Sequence, residues 1–280
     1  MNKSFTLIEI LVVIVVIGIL SAFVLVGMSS ITNNANIAKS KEFANSMRNS
    51  LLIDLVSEWK LDGNANDSWG TNNGTLVGPT HLPVLKSSNE CISGTCYQFD
   101  GSEDYINCSR AHYETLAAEA WINTYSIPAQ GVAASTFVRT DSYMLYIEGG
   151  LRWYIHDGTA WRSISYSSLS TNKWYHVVGT YDLNASTNNH KLYVNGVRVA
   201  QVTTTNIRDA GAWLRIGYIW SQYYSGLIDE VRIYDQVLPA SKIQQNYFIG
   251  LNKLYKNDGL SKIEYGQRLS ELKSNLAMHE

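Results

Sequence analysis

The chain has 280 residues with a formal net charge of −2, and 45% of them are hydrophobic, 11% aromatic and 16% charged. That near-neutral balance excludes a head built to hold nucleic acid or an anionic membrane by charge, and the aromatic-rich, charge-poor composition suits one sizeable sheet-rich domain. The N-terminal stretch Phe5 to Met28 is almost wholly apolar, and residues 10–28 carry no charge. As a helix those residues span roughly 28 Å, close to the hydrocarbon thickness of a bilayer. Glu9 sits one residue before the run, behind a short head containing Lys3. A carboxylate at that depth costs roughly 3 kcal/mol unless paired, so Glu9 needs a partner. An ordinary secretory signal would place a small-residue cleavage site beyond a shorter apolar core; Ser21 and Ala22 are a weak version of one, and such a signal gives Glu9 no role. Beyond the apolar run Ile31, Ala35, Ala38, Phe43, Met47, Leu51 and Leu55 recur at helical spacing, with no Pro before Pro79 and no Gly between Gly27 and Gly63. The pattern predicts one helix from about Phe5 to Leu55, roughly 75 Å long, amphipathic in its outer half.

Lys3, Ser4, Phe5, Thr6, Leu7, Ile8 and Glu9 followed by an apolar helix resemble the class III signal of type IV pilins and pseudopilins. The resemblance implies cleavage by a prepilin peptidase between Ser4 and Phe5, N-methylation of Phe5, and pairing of Glu9 with the N-terminal amine of a neighbouring subunit. The physics agrees, because trimming the leader leaves an ammonium on Phe5 inside the apolar layer, where each buried charge supplies the other's partner. The chain departs from the family at Ser4, where Gly is usual, and at Val26, where many major pilins have Pro. Gly18 and Gly27 are then the candidate positions for a kink.

From Trp59 the period changes from 3.6 to 2. Strands are predicted at Cys96–Phe99, Tyr105–Cys108, Glu119–Asn123, Tyr143–Ile147, Leu151–His156, Trp174–Tyr181, Lys191–Val194, Val197–Val202, Trp213–Ile219 and Leu227–Tyr234. Asn195-Gly196 between two of them signals a type I′ hairpin. So many strands without intervening helices indicate an antiparallel sandwich or jelly roll. WKLDGNANDSWGTNNGTLVG (59–78), YQFDGSEDYINC (97–108), NKWYHVVGTYD (172–182), KLYVNGVRVA (191–200) and GLIDEVRIYDQVLPASKI (226–243) are similar to the laminin-G-like, concanavalin A-like jelly-roll domain of bacterial surface proteins. The fold class expected is α+β: a prepilin leader (1–4), a long pilin helix (5–57), a laminin-G-like jelly-roll head (58–240) and a short helical tail (241–280). In that tail a helix is read from Ser241 to Leu254 after Pro239. A second follows the Asn257-Asp258-Gly259 break, with Ile263, Leu269, Leu272 and Leu276 apolar. The second helix reads equally as a solvated appendage or as a contact to a neighbouring subunit.

Three groups in the head carry candidate chemistry. In GLIDEVRIY, Leu227, Asp229, Val231 and Ile233 share one face by alternation while Glu230 and Arg232 take the other. Asp229 therefore needs a partner, and with Asp62, Asn64 and Asp67 it forms a candidate structural Ca2+ site, the ion taking six to eight oxygens. The alternative is turn chemistry, in which these Asp and Asn side chains cap backbone N–H groups. Trp153, Trp161, Trp220, Tyr223 and Tyr224 are candidate rings for stacking a sugar, with the loop Ile219–Ser225 preferred; the alternative is that they serve the core. Among Cys91, Cys96 and Cys108, two pairings compete, Cys91–Cys96 across a short loop and Cys96–Cys108 across a hairpin. Sequence does not choose between them, and the short ring, leaving Cys108 free and buried, is preferred.

Glycosidases of similar architecture need two carboxylates facing one cleft, whereas Asp229 and Glu230 are adjacent on a strand. No Ser, His and Asp constellation or metal spacing is evident either, so no catalytic residue and no enzyme activity is expected. The function expected is a structural subunit of a type IV pilus-like filament, polymerising with itself through the N-terminal helix. It passes from the inner membrane and its prepilin peptidase to the cell surface, where the head meets a carbohydrate or protein ligand. A pseudopilin of a secretion or DNA-uptake apparatus, or a membrane-anchored lectin-like protein, is the alternative.

Overall fold

The computed structural model describes residues 54–110, 115–127, 135–139, 142–207, 213–219 and 222–277; Ser4, Phe5, Glu9 and Trp220 lie outside these residues, as does the predicted N-terminal helix up to residue 53. Among the described residues no helix is long and apolar enough to cross a membrane. The strands in chain order are β1 (Leu55–Trp59), β2 (Thr75–Val77), β3 (Val84–Lys86), β4 (Cys96–Asp100), β5 (Tyr105–Arg110), β6 (Leu116–Thr124), β7 (Ser135–Arg139), β8 (Tyr143–Ile147) and β9 (Leu151–His156). They continue with β10 (Trp161–Tyr166), β11 (Trp174–Tyr181), β12 (His190–Val194), β13 (Val197–Val202), β14 (Trp213–Ile216), β15 (Tyr218–Ile219), β16 (Gln222–Tyr223) and β17 (Ser225–Tyr234). Two helices, α1 (Ala240–Lys256) and α2 (Lys262–Ala277), close the chain.

Two antiparallel sheets form an α+β sandwich. Sheet A runs β13-β12-β11-β6-β17-β4-β3, and β1 also pairs with β17; sheet B runs β10-β9-β8-β7-β14-β5-β2. β17 is the hinge of sheet A: β6 lies along one edge, while β4 pairs residues 225–228 and β1 pairs residues 231–234 on the other. Leu55, Val56 and Ser57 therefore belong to the sandwich, not to the end of the predicted stalk helix, because Leu55 and Trp59 alternate into the core at period 2. At the predicted hairpin Asn195 and Gly196 have φ of 51° and 79°, the left-handed pair a type I′ turn requires.

Inward-facing residues of the two sheets form one core, in which Ala118, Ala120 and Ile122 of β6 meet Leu145 of β8 and Trp153 and Ile155 of β9. Gly179 of β11 leaves room for the Trp153 indole, since a Cβ there would lie 2.2 Å from that ring. A second apolar cluster lies on the outer face of sheet A, where Trp121, Trp174 and Leu227 pack against Tyr247, Leu251 and Leu254 of α1 and Leu272 of α2. Ile243, Tyr247, Leu251 and Leu254 recur at helical spacing and are all buried, which is what holds α1 to the sheet. α2 docks on its own head through Tyr265, Arg268 and Leu272, with the Arg268 guanidinium donating to the Trp174 carbonyl at 2.7 Å. This differs from the solvated-appendage reading, and Ile263, expected in the apolar stripe, is 75% exposed because the stripe begins at Tyr265.

Candidate functional site

The predicted disulfide is present: Cys91 bonds Cys96, and Cys108 is free and buried in the core. The closed loop is held from two sides. Asp229 accepts from the Ile92 and Ser93 N–H groups at 2.9 and 3.2 Å, and Asp62 accepts from the Thr95 N–H at 2.8 Å. Asp67 organises the preceding loop by accepting four backbone N–H groups, from Glu58, Trp69, Gly70 and Asn72. Burial acts to raise the Asp67 pKa, and these four bonds outweigh it and lower it. Asn64 accepts from the Asn66 N–H at 2.9 Å. The candidate metal ligands thus each accept from backbone donors, as in the turn-chemistry alternative. Among the described residues no group of three or more His, Cys, Asp or Glu side chains is placed to hold a metal. Chelation is accordingly expected to leave the melting temperature within about 1 °C; an ion bound at a hundredfold over its Kd would contribute about 2.7 kcal/mol, and its removal would lower Tm by about 5–10 °C.

The alternation expected for β17 breaks at Glu230. Its φ of 50° and the register shift between Asp229 and Arg232 mark a β-bulge. Ile228, Val231 and Ile233 face the core, Leu227 faces the outer cluster, and Asp229, Glu230, Arg232 and Tyr234 all meet partners on the outer side. The expected grouping of Leu227 and Asp229 with Val231 and Ile233 is therefore corrected, since the bulge carries an extra residue to the outer face. Around it lies a buried charge network that sequence reading did not identify. Glu119 Oε1 is 2.8 Å from His176 Nε2 and 3.3 Å from Arg232 Nη1, and Glu119 Oε2 accepts from Tyr234 and Asn246, each at 2.9 Å. Arg232 also pairs with Glu58 at 2.8 Å and with Glu230, whose other oxygen accepts from Lys253 Nζ at 3.0 Å. Burial acts to raise the Glu119 pKa, but the His176 hydrogen bond and the Arg232 charge outweigh it and bring the pKa down to about 2. Glu119 and Glu230 are thus bonded between the sheet and α1, sealed from any cleft; the signal was a lone Glu in the apolar run LAAEAWINT.

The helices cover part of the outer face of sheet A and leave a cavity of about 420 Å³ lined by Glu90, Asn123, Trp174, Leu227 and Arg268, while sheet B carries a set of half-exposed rings. In β9 Leu151, Trp153 and Ile155 are buried while Arg152, Tyr154 and His156 face out. Register places Met144 beside Tyr154, Tyr146 beside Arg152, and Trp161 beside His156 on that outer side. The rings interlock: Tyr146–Tyr154, Tyr154–Trp161 and His156–Trp161 centroids are 5.8, 6.3 and 5.0 Å apart. Ile219 of the β15–β16 hairpin packs on Met144 and Tyr146. At the edge of the sandwich, where β10 meets the end of β13, Trp161, with Asp157, Arg162, Ser163 and Thr203–Thr205, lines a cavity of about 420 Å³. Tyr105 and Tyr223, with Leu76, Pro79, Leu82 and Glu103, line one of about 470 Å³.

Of the predicted sugar-stacking rings, Trp161 and Tyr223 are therefore half-exposed at these cavities. Trp153 and Tyr224 are fully buried in the core and are corrected to structural residues: alternation turns each one inward beside an outward neighbour, Tyr154 and Tyr223 respectively. The half-exposed rings missed were Tyr105, Tyr154 and Tyr218, while Tyr146 on the same side is buried. Tyr105 and Tyr154 alternate with buried positions of their strands, so strand parity would have found them.

The model of the concanavalin A-like lectin/glucanases superfamily matches residues 100–244, more than half of the chain. The chain belongs to this superfamily. A second model, the prokaryotic N-terminal methylation motif, matches residues 1–25 and so covers Ser4, Phe5 and Glu9. No curated protein matches the chain. Among solved structures, the concanavalin A-like head is similar to domain 4 of AbnA, a GH43 extracellular arabinanase from Geobacillus stearothermophilus, in complex with arabinotriose. That match has a TM-score of 0.57 and 19% identity over 69% of this chain and 97% of that domain. It is also similar to the binding domain of Paraclostridial Mosquitocidal Protein 1, with a TM-score of 0.58 and 15% identity over 72% of this chain and 53% of that one. The receptor binding domain of botulinum neurotoxin mosaic serotype C/D matches with a TM-score of 0.55 and 18% identity over 71% and 51%. The chain thus spans about half the length of the two toxin binding domains. At these identities the likeness shows the shared fold. The methylation motif and the lectin-like fold together point to a non-enzymatic protein.

Proposed function

We propose that this chain is a subunit of a type IV pilus-like surface filament, processed before Phe5, whose concanavalin A-like head binds carbohydrate on the outer face of sheet B. The observation that carries the binding half is that sheet B presents half-exposed Trp and Tyr rings, Trp161 and Tyr223 among them, beside cavities large enough for sugar residues. The bound arabinotriose of the arabinanase domain, a property of that protein, is consistent with a sugar on such a sandwich. The filament half rests on the methylation motif. In this reading Glu9 pairs with the methylated N-terminus of the next subunit, and the head makes no use of that charge.

Mass spectrometry of the N-terminal peptide in protein sheared from whole cells tests the filament half. A peptide beginning at N-methylated Phe5 is expected. A peptide still carrying Met1–Ser4, found only with membranes, would replace the filament by an anchored surface protein. Binding of the full chain to immobilised neutral and acidic oligosaccharides tests the head, and failure to retain any of them would remove the carbohydrate reading.

A further inference from the structure

Tyr218 forms the middle of a three-ring array on the outer side of sheet B, with its centroid 4.9 Å from Tyr105 and 4.8 Å from Tyr223. Three local features build it. Tyr218 and Tyr223 are a cross-strand pair in the β15–β16 hairpin. Tyr105 stands on β5, two residues before Asn107, which is the register partner of Arg215. Gly217, at φ +90° and too close to Phe99 to carry a Cβ, turns the chain from β14 into the hairpin.

Arg215 lies against this array, its guanidinium carbon 5.2 Å from the Tyr218 centroid and 6.0 Å from that of Tyr105. Its Nε is buried without a hydrogen-bond partner. Two other charged groups on this side are committed elsewhere. Glu103, on the rim of the adjoining cavity, accepts from the Thr80 and His81 N–H groups at 3.0 Å each and from the Thr80 hydroxyl. Arg152, farther along the face, is paired with Glu148 at 3.2 Å. A guanidinium stacked on aromatic faces keeps its edge N–H groups for a planar, bidentate acceptor, and a carboxylate matches that fork.

Resting on the carbohydrate reading above, we propose that Arg215 with Tyr105, Tyr218 and Tyr223 forms a subsite for a carboxylate-bearing sugar residue of a uronic acid type, its ring against the tyrosines and its carboxylate on the guanidinium. The adjoining cavity of about 470 Å³ has the size to take the next sugar of the chain.

The test is isothermal titration of the full-length protein in detergent with a uronic acid oligosaccharide, its carboxyl-reduced neutral counterpart, and a sulfated oligosaccharide of equal charge. The acidic sugar is expected to bind at least about tenfold tighter than its neutral counterpart, a charge-assisted pair being roughly twice as strong as a neutral one. Arg215→Gln is expected to abolish that preference, and Arg215→Lys to keep only part of it. Equal affinity for acidic and neutral sugars in the unmodified protein would overturn the subsite while the carbohydrate reading stands, and needs no variant to fold. Equal affinity for the sulfated and uronic sugars would overturn the carboxylate assignment. Absence of binding by all three would remove the subsite together with the carbohydrate reading.

Discussion

Glu119→Ala is expected to be the most destabilising single change on the outer face of sheet A, costing about 3–5 kcal/mol, because it takes their shared acceptor from His176, Tyr234 and Asn246 and removes one of the three carboxylates around Arg232. At the scale of a domain of this size that is a fall of about 10 °C in Tm, measurable by circular dichroism. The carboxylate joins its own strand β6 to three other elements: His176 on β11, Arg232 and Tyr234 on β17, and Asn246 on α1. The pH dependence carries the same signature. The folded pKa of about 2 lies below the ordinary 4.5, so the group stabilises the fold fully above about pH 4.5 and loses that contribution as pH falls towards 2. The loss amounts to about 3 kcal/mol across that window. Glu119→Gln removes the titrating group, so its stability curve is expected to be flatter than that of the unmodified protein between pH 5 and 2. Parallel curves in urea titrations at pH 5, 3.5 and 2.5 would show that the network is electrostatically neutral to folding.

How much of this architecture was legible depended on whether local pattern or distant partners set the structure. β8, β9, β11 and β13 fall on their predicted bounds, because each is bounded by turn chemistry and has enough apolar residues to declare a strand. β2 and β3 are three-residue strands, and β10 has the polar sequence WRSISY, so none has the apolar pattern that declares a strand; β3 and β10 are held by pairing with the adjacent β4 and β9, and β2 by pairing with β5. β1 was hidden because Leu51 and Leu55 continue the helical spacing of the preceding stretch until Trp59. The β17 bulge was illegible for a different reason. Glu230 is a residue with no preference for positive φ, and it is held there by Arg232 and Lys253, on its own strand and on α1. The disulfide was readable as a preferred short ring, and the turn role of Asp62, Asp67 and Asp229 was visible as an alternative. The candidate sugar-stacking rings were chosen by residue type, where strand parity was the better guide to which rings face out.

That distinction yields the second large effect, a pair of tryptophan substitutions eight positions apart with opposite consequences. Trp153→Ala is expected to cost about 3–5 kcal/mol, the range for emptying a buried aromatic site, and to leave whatever protein remains folded with its sugar affinity intact. Its indole is fully buried over Gly179, donates to the Thr180 carbonyl at 3.2 Å and packs against Tyr143 at 5.7 Å, so nothing nearby can collapse cheaply into the space. Trp161→Ala removes a half-exposed ring at the sheet edge. It is expected to shift stability by less than about 1 kcal/mol. If the Trp161 cavity takes part in binding, the same change weakens neutral-sugar affinity by about tenfold, the value of one good stacking contact. Thermal melts and sugar titrations on the two variants read the effects separately. A Trp153→Ala protein that melts normally would contradict the packing of the core, and a Trp161→Ala protein with unchanged affinity would confine binding to the tyrosine side of the face. The asymmetry follows from one feature of β9 and β10: a strand turns successive side chains to opposite faces, so Trp153 and its neighbour Tyr154 cannot serve the same purpose.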